Sequence, residues 1–180
     1  LTSETTYERW LDKSVWGNGV AFIVGELSGD VYLDLAVVCE APDSPMDSGM
    51  LEVRFGPNFS TFVLIAAGSG ASSIASADFD GDLELEIAVG NYYDMNAMLF
   101  ERPFEFTSVP SSVCLVDGMP TSLLAGQLND DTLTDLVVAT EDQPCCQIHS
   151  QLANRHHRGL GRNSVGVPQG GAYPREQLTN

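Results

Sequence analysis

The sequence is poor in basic residues and, over most of its length, lacks histidine. It contains 8 Lys and Arg against 25 Asp and Glu, which gives a formal net charge of −17. A surface of this sign repels phosphate backbones, so nucleic acid is not an expected partner. Residues 1–142 contain no histidine, which excludes a Ser-His-Asp triad there. No glycine-rich nucleotide-binding motif occurs either, and we therefore expect a protein that is not an enzyme.

Long apolar runs and paired cysteine motifs are also missing. No apolar run reaches the roughly 18 residues of a membrane span, and no basic segment followed by an apolar run marks a signal peptide. The four cysteines, Cys39, Cys114, Cys145 and Cys146, show no C-x-x-C spacing, which argues against a zinc site. They fit either one disulfide or buried free thiols. The triplet Asn58-Phe59-Ser60 is a glycosylation sequon and favours a secreted protein.

Acidic residues recur in three segments that share one pattern. The segments are GELSGDVYLDLAVV (25–38), ADFDGDLELEIAVG (77–90) and GQLNDDTLTDLVVA (126–139). In each, an aspartate is followed four residues later by a second acid and then by an aliphatic run. The aspartates that precede the second acid by four residues are Asp30, Asp82 and Asp131, at spacings of 52 and 49 residues. Three matches in register indicate an internal repeat of about 50 residues.

Short strand-like segments separated by turn residues occupy the rest of each repeat. They include VAFIVG (20–25), MLEVRF (50–55), FSTFVLIA (59–66), SSIASA (72–77), AMLFER (97–102), SSVCLV (111–116) and TSLLAG (121–126). About four strands per repeat is the size of one β-propeller blade. Such a sheet cannot bury both faces alone, so it must stack on its neighbours. A β-sandwich of the same strands is the alternative, although a sandwich requires no fixed period. The glycine-rich stretch AAGSGASS (66–73) is predicted to be a turn.

The second acidic segment concentrates four carboxylates within nine residues: Asp78, Asp80, Asp82 and Glu86. They repel one another unless a partner is present. Together with the main-chain carbonyl of Glu84, these oxygens can surround one hard cation, and calcium tolerates such an irregular loop better than magnesium does. An EF-hand is excluded because Leu83 stands where that motif needs glycine, and a strand rather than a helix follows. A solvated acidic turn without metal is the alternative.

These residues resemble the calcium loop of FG-GAP/VCBS repeats, the family of integrin α-subunit propellers and related bacterial and lectin propellers. The resemblance covers residues 19–142 and includes RFGP (54–57), which is similar to the Phe-Gly element of that repeat. It implies a β-propeller in which each calcium loop joins the first and second strands of a blade. The family often has glycine at the sixth loop position, where this chain has Val31, Leu83 and Thr132. Because a β-branched residue is costly at positive φ, a modified turn is expected in the first and third loops.

The resemblance also implies the metal ligands of all three loops. In the second loop they are Asp78, Asp80, Asp82, the Glu84 carbonyl and Glu86. In the first loop they are Glu26, Ser28, Asp30, the Tyr32 carbonyl and Asp34. In the third loop they are Gln127, Asn129, Asp131, the Leu133 carbonyl and Asp135. The third loop supplies only two carboxylates, so a metal-free turn is the alternative there.

The expected organisation is an all-β partial propeller of four-stranded antiparallel blades. Residues 1–18 would be the end of a preceding blade or an N-terminal extension, and residues 19–151 three repeats, the third incomplete. Residues 143–180 carry 4 basic residues against one acid, whereas residues 1–142 carry 24 acids against 4 basic residues. Residues 152–180 also lack strand alternation, so we expect a disordered tail. It would leave an open blade edge with a tendency to self-associate.

The expected function is calcium-dependent recognition of a protein or glycan outside the cell. Two alternatives remain. The propeller could accompany a catalytic domain that lies outside this sequence, or it could be a sugar-binding lectin with sites between blades. The sequence does not identify the ligand.

Overall fold

The computed structural model describes residues 15–44, 46–102, 104 and 108–141, and the backbone strand 147–149. The described part is all-β and contains no helix. Accordingly, no helix in it has the length and apolar character needed to cross a membrane. The predictions for residues 1–14, for the tail from residue 152 and for Cys145 and Cys146 lie outside the described residues.

In the described residues, eleven strands form three antiparallel sheets that follow one another along the chain. The first sheet contains β1 (Asn18–Gly25), β2 (Asp34–Glu40), β3 (Ser48–Phe55) and β4 (Thr61–Ser69). The second contains β5 (Ala71–Ala77), β6 (Glu86–Asn91), β7 (Asn96–Phe100) and β8 (Ser112–Leu115). The third contains β9 (Pro120–Gly126), β10 (Asp135–Thr140) and β11 (Gln147–His149). In the first two sheets each strand pairs with the next, so each is a four-stranded meander of the predicted size.

The three sheets pack on one another, with the second in the middle. Side chains of β6 alternate between two cores: Ile87 and Val89 face the first sheet, and Ala88 faces the third. Because both faces of the middle sheet are covered, every residue of β6 is buried. This explains why the middle of the strand, residues 87–90, is a continuous apolar run instead of an alternating one. Each large side chain buried in these cores contributes about 1.5–3 kcal/mol.

One predicted turn is mostly strand. The stretch 66–73 was expected to be a glycine-rich turn, but β4 extends to Ser69 and β5 begins at Ala71. Only Gly70 lies between them, at φ +67°. Glycine adopts that conformation without steric cost, so one residue is enough to carry the chain from the first sheet to the second.

Two cysteines can be placed. Cys39 and Cys114 are buried and take part in no disulfide, and burial raises the pKa of the Cys39 thiol to about 11. Both therefore act as small apolar core residues, which matches the second of the two interpretations of the cysteines.

Candidate metal centre

The three acidic segments form equivalent loops. Loop 1 (residues 26–34), loop 2 (78–86) and loop 3 (127–135) each connect the first and second strands of a sheet. The residue before each loop pairs with the ninth loop residue: Gly25 with Asp34, Ala77 with Glu86, and Gly126 with Asp135. The same register in three sheets places the same loop positions at the same end of each hairpin.

The acid at the ninth position is buried in every loop. Asp34, Glu86 and Asp135 are at most 2% exposed. Each accepts a hydrogen bond from the backbone N–H of the second loop residue, at 2.8 Å from Leu27, 2.6 Å from Phe79 and 2.9 Å from Leu128. A buried carboxylate needs such donors, because leaving it without partners costs several kcal/mol. The ninth residue therefore closes the loop across its base.

The aspartate at the fifth position shapes the turn itself. Its carboxylate accepts the N–H of the seventh residue in all three loops. The distances are 2.6 Å from Tyr32 to Asp30, 2.7 Å from Glu84 to Asp82, and 2.9 Å from Leu133 to Asp131. Bonds of this kind, from an Asp side chain to the backbone two residues later, are typical of turns. This part of the motif stabilises the backbone whether or not a cation binds.

Loop 2 brings three carboxylates together. One oxygen each of Asp78, Asp80 and Glu86 lies within 4.8 Å of the others. Asp78 also accepts the N–H of Gly81 at 2.6 Å and of Leu83 at 2.9 Å. Among the described residues, none of these three acids takes part in an ion pair. The cluster therefore holds negative charge whose partners are backbone N–H groups.

The electrostatics of loop 2 reflect that crowding. Burial, which acts most strongly, raises the pKa of Glu86 to about 7, and the charges of Asp80, Asp82 and Asp78 add to it. The hydrogen bond from Phe79 opposes this rise in the pKa of Glu86. Burial also raises the pKa of Asp80, against the hydrogen bond from Asp82 and in the same direction as nearby carboxylates. Loss of water around a carboxylate and negative charges beside it both disfavour the ionised form, and the first effect is largest at Glu86, which is buried, whereas Asp80 is exposed.

Loop 3 repeats the framework with amides in place of two carboxylates. Asn129 Nδ2 donates to Asp135 Oδ1 at 3.1 Å, and Gln127 Nε2 donates to the carbonyl oxygen of Asp131 at 2.6 Å. An amide N–H thus contacts the ninth-position acid, where loop 2 has carboxylates. The N–H of Leu133, whose carbonyl is a predicted ligand, donates to Asp131 as described above. Loop 3 thus supplies hydrogen-bond donors to its own acids, Asp131 and Asp135.

Loop 1 differs from both. Asp34 Oδ1 accepts the N–H of Gly56, which lies in the turn after β3, at 2.8 Å. Glu26 Oε1 accepts the N–H groups of Gly29 and Asp30, and its other oxygen lies 3.8 Å from Arg102 Nη1. Ser28 and Tyr32 are exposed. Within the residues that the structure describes, the acids of loop 1 do not form a carboxylate cluster like that of loop 2.

Backbone conformation separates the loops as the sequence predicts. The sixth residue of loop 2, Leu83, has φ +72°, whereas Val31 and Thr132 are not among the described residues with positive φ. A γ-branched leucine tolerates the left-handed region better than β-branched valine or threonine does. Gly29 and Gly81, at the fourth position, have φ +86° and +87°. Loops 1 and 3 thus have a modified turn at the sixth position, as expected.

The donor set of loop 2 fits calcium. Oxygens bound to one calcium ion at 2.3–2.6 Å lie at most about 5 Å apart, and the three carboxylate oxygens meet that limit. The donors are hard oxygens, with no sulfur or imidazole in the group, as calcium prefers. Asp78, Asp80 and Glu86 would hold the ion, and the chemistry that it supplies is charge neutralisation. Asp82 and the Glu84 carbonyl remain ligands implied by the resemblance.

Two features of this region could not be found from the sequence pattern. Arg102 follows β7 and contacts loops 1 and 2, and Gly56 N–H binds Asp34. Neither lies in a repeated acidic segment, and both contacts depend on how the strands pair and stack. The sequence sets Arg102 apart only as one of the 4 basic residues in residues 1–142, which makes it a possible partner of the many acids.

Comparison of this sequence with protein-family models and with curated proteins gives no match. The likeness to FG-GAP/VCBS repeats therefore depends on the loop residues themselves and on their place in the sheets.

Proposed function

We propose that this chain is a region of a calcium-binding β-propeller of the FG-GAP/VCBS type. It would act as a non-enzymatic module that recognises a protein or glycan outside the cell. The observation that carries the proposal is the carboxylate cluster of loop 2, formed by Asp78, Asp80 and Glu86. Its position between the first two strands of a four-stranded sheet is the position that the resemblance implies.

The packing of the second loop residue supports an array of blades. Leu27 of loop 1 is buried in the core between the first and second sheets, and Phe79 of loop 2 in the core between the second and third. The equivalent Leu128 of loop 3 is 52% exposed, and Leu124 on β9 is 65% exposed. We infer that a further sheet of the same repeat packs on this face.

In this proposal the ion has a structural role. It neutralises the repelling carboxylates of loop 2 and holds the hairpin between β5 and β6 in one conformation. Binding to the folded state alone adds RT ln(1 + [Ca]/Kd) to the free energy of unfolding, about 2.7 kcal/mol at a hundredfold excess over Kd. A rigid loop end is the kind of surface on which recognition sites are usually built.

A lectin remains the second candidate, because an open cleft separates the first and second sheets at the loop end. Its volume is about 570 Å³, and its walls include Phe55, Phe104, Asp30 and Thr61. Asp30 and Thr61 are exposed there, and a carboxylate and a hydroxyl group can form hydrogen bonds with a sugar. A glycan array distinguishes this candidate from protein recognition.

Calcium binding is tested by thermal unfolding and calorimetric titration, with millimolar calcium or with a chelator. We expect calcium to raise the unfolding midpoint. Asp80→Ala should abolish the calcium-dependent part, whereas the matched variant Asp131→Ala in loop 3 should retain it, because affinity follows the number of carboxylate ligands. An unchanged midpoint in the wild-type protein, or the opposite order of the two variants, would reject the proposal.

A further inference from the structure

Arg102 forms a salt bridge with Glu84, the seventh residue of loop 2. Its Nη2 lies 2.5 Å from Glu84 Oε1, and its Nε donates to Glu84 Oε2 at 3.1 Å. The two contacts form the bidentate arrangement in which arginine fixes the direction of a carboxylate as well as its charge. Glu84 is therefore paired outside the cluster formed by Asp78, Asp80 and Glu86.

The third guanidinium nitrogen faces loop 1. Arg102 Nη1 lies 3.8 Å from Glu26 Oε2, and among the described residues it is a buried atom without a hydrogen-bond partner. A Cβ at Gly29 would stand only 3.0 Å from Nη1. The side chain of Arg102 is 13% exposed. The guanidinium thus fills the space between the two loops, and the absence of a side chain at Gly29 provides that space.

We propose that Arg102 is a positioning residue for the calcium centre of loop 2 and that it couples this centre to loop 1. The inference rests on the proposed calcium binding. By holding the Glu84 carboxylate, Arg102 keeps this acid of the loop away from the ion and fixes residue 84, whose main-chain carbonyl is an expected ligand. It does so next to Leu83, which occupies the left-handed region of φ. Its contact with Glu26 makes the position of the Arg102 guanidinium depend on loop 1.

The positive charge of Arg102 and its bidentate contact with Glu84 have opposite effects on calcium affinity, so the experiment must separate them. A lone positive charge near the ion weakens binding, whereas a fixed loop strengthens it. The double variant Arg102→Met with Glu84→Gln removes one charge of each sign and leaves the local net charge unchanged. Arg102→Lys keeps the charge but cannot reproduce the bidentate grip. Residues that orient metal ligands typically change affinity by about 10- to 100-fold when they are altered.

The measurements are the calcium Kd by calorimetric titration and the unfolding midpoint without calcium. We expect both variants to raise the calcium Kd about tenfold. A fall in the calcium-free midpoint with a Kd within about twofold of wild type would mean that Arg102 only stabilises the fold, and would overturn the inference. If the double variant does not fold, Arg102→Lys decides by the same two criteria. A wild-type protein that binds no calcium would instead refute the proposed function on which the inference rests.

The coupling to loop 1 is tested with Glu26→Gln. We expect it to raise the calcium Kd about twofold to threefold in the wild type, about 0.4–0.6 kcal/mol by the free-energy relation, and to have no further effect in the double variant. Asp43→Asn is the matched control, since it removes one exposed carboxylate from the turn after β2, at the opposite end of the first sheet. Equal effects of Glu26→Gln in both backgrounds, or an equal effect of Asp43→Asn, would overturn the coupling.

Discussion

Loops 2 and 3 share one framework of hydrogen bonds and balance its charge in two ways. In both, the ninth-position acid is buried and accepts the N–H of the second residue, and the fifth-position aspartate accepts the N–H of the seventh. Loop 2 then places Asp78 and Asp80 against the buried acid, whereas loop 3 places the amide of Asn129 there. The framework is therefore separable from the cation. Loop 3 closes with N–H donors of its own, and loop 2 carries carboxylates whose repulsion a calcium ion would relieve.

Exchanging the third-position side chains gives the sharpest test of this comparison. Asp80→Asn supplies an amide donor to Glu86, as Asn129 does for Asp135. We expect this variant to be at least as stable as wild type without calcium and to lose the calcium-dependent gain, about 2.7 kcal/mol at a hundredfold excess over Kd. Chemical unfolding with calcium and with a chelator measures both quantities.

The reverse exchange completes that test. Asn129→Asp with Gln127→Glu removes both amide donors of loop 3 without changing side-chain size. The calcium-free protein should lose about 1–3 kcal/mol, since Asp135 loses a donor and gains a negative neighbour. Calcium should restore part of that loss. If loop 3 tolerates both carboxylates without calcium at no cost, its amides do not have the balancing role assigned to them.

The sequence predicted the strands and the loop positions well because both depend on local patterns. The repeat placed all three loops between paired strands, and the structure gives them identical registers. The β-branched residues Val31 and Thr132 also predicted the turns that avoid positive φ. The contacts of Arg102 were not predictable, since Arg102 meets Glu26 of the neighbouring sheet and Glu84 of its own sheet from positions 76 and 18 residues away in the chain. The amide donors of loop 3 were visible as residue types, but their partners depend on side-chain orientation within the folded loop.

A smaller effect concerns the pH dependence of stability and arises from Glu86 in loop 2. The pKa of Glu86 is raised from its ordinary value of 4.5 to about 7, chiefly by burial. Between these values the folded, calcium-free protein binds a proton that the unfolded chain has released. The contribution of Glu86 to the free energy of unfolding therefore falls as pH rises from about 4.5 to about 7, and it is constant above that range. Calcium needs the ionised form, so its affinity should fall as pH drops below about 7.

Urea unfolding of calcium-free protein between pH 5 and pH 8 measures this linkage. Glu86→Gln cannot titrate, so its stability should fall less steeply with rising pH than that of wild type, and the two curves should diverge most near neutral pH. Parallel curves for wild type and Glu86→Gln would show that folding does not raise the pKa of Glu86.

The smallest predicted effect concerns the backbone of loop 2. Leu83 lies at φ +72° and is 91% exposed, so its side chain incurs steric cost in the left-handed region and buries almost no apolar surface. Leu83→Gly removes that cost, about 1–2 kcal/mol. It also makes the unfolded chain more flexible, which destabilises the folded state by about 0.4–1 kcal/mol. We expect a net gain of about 0.5 kcal/mol in calcium-free stability.

Val31→Gly is the matched control, because Val31 holds the same position in loop 1, is 89% exposed and has no positive φ. There only the entropic cost applies, so the variant should lose about 0.4–1 kcal/mol. Changes of the same sign in the two variants would show that the sixth position does not distinguish the loops.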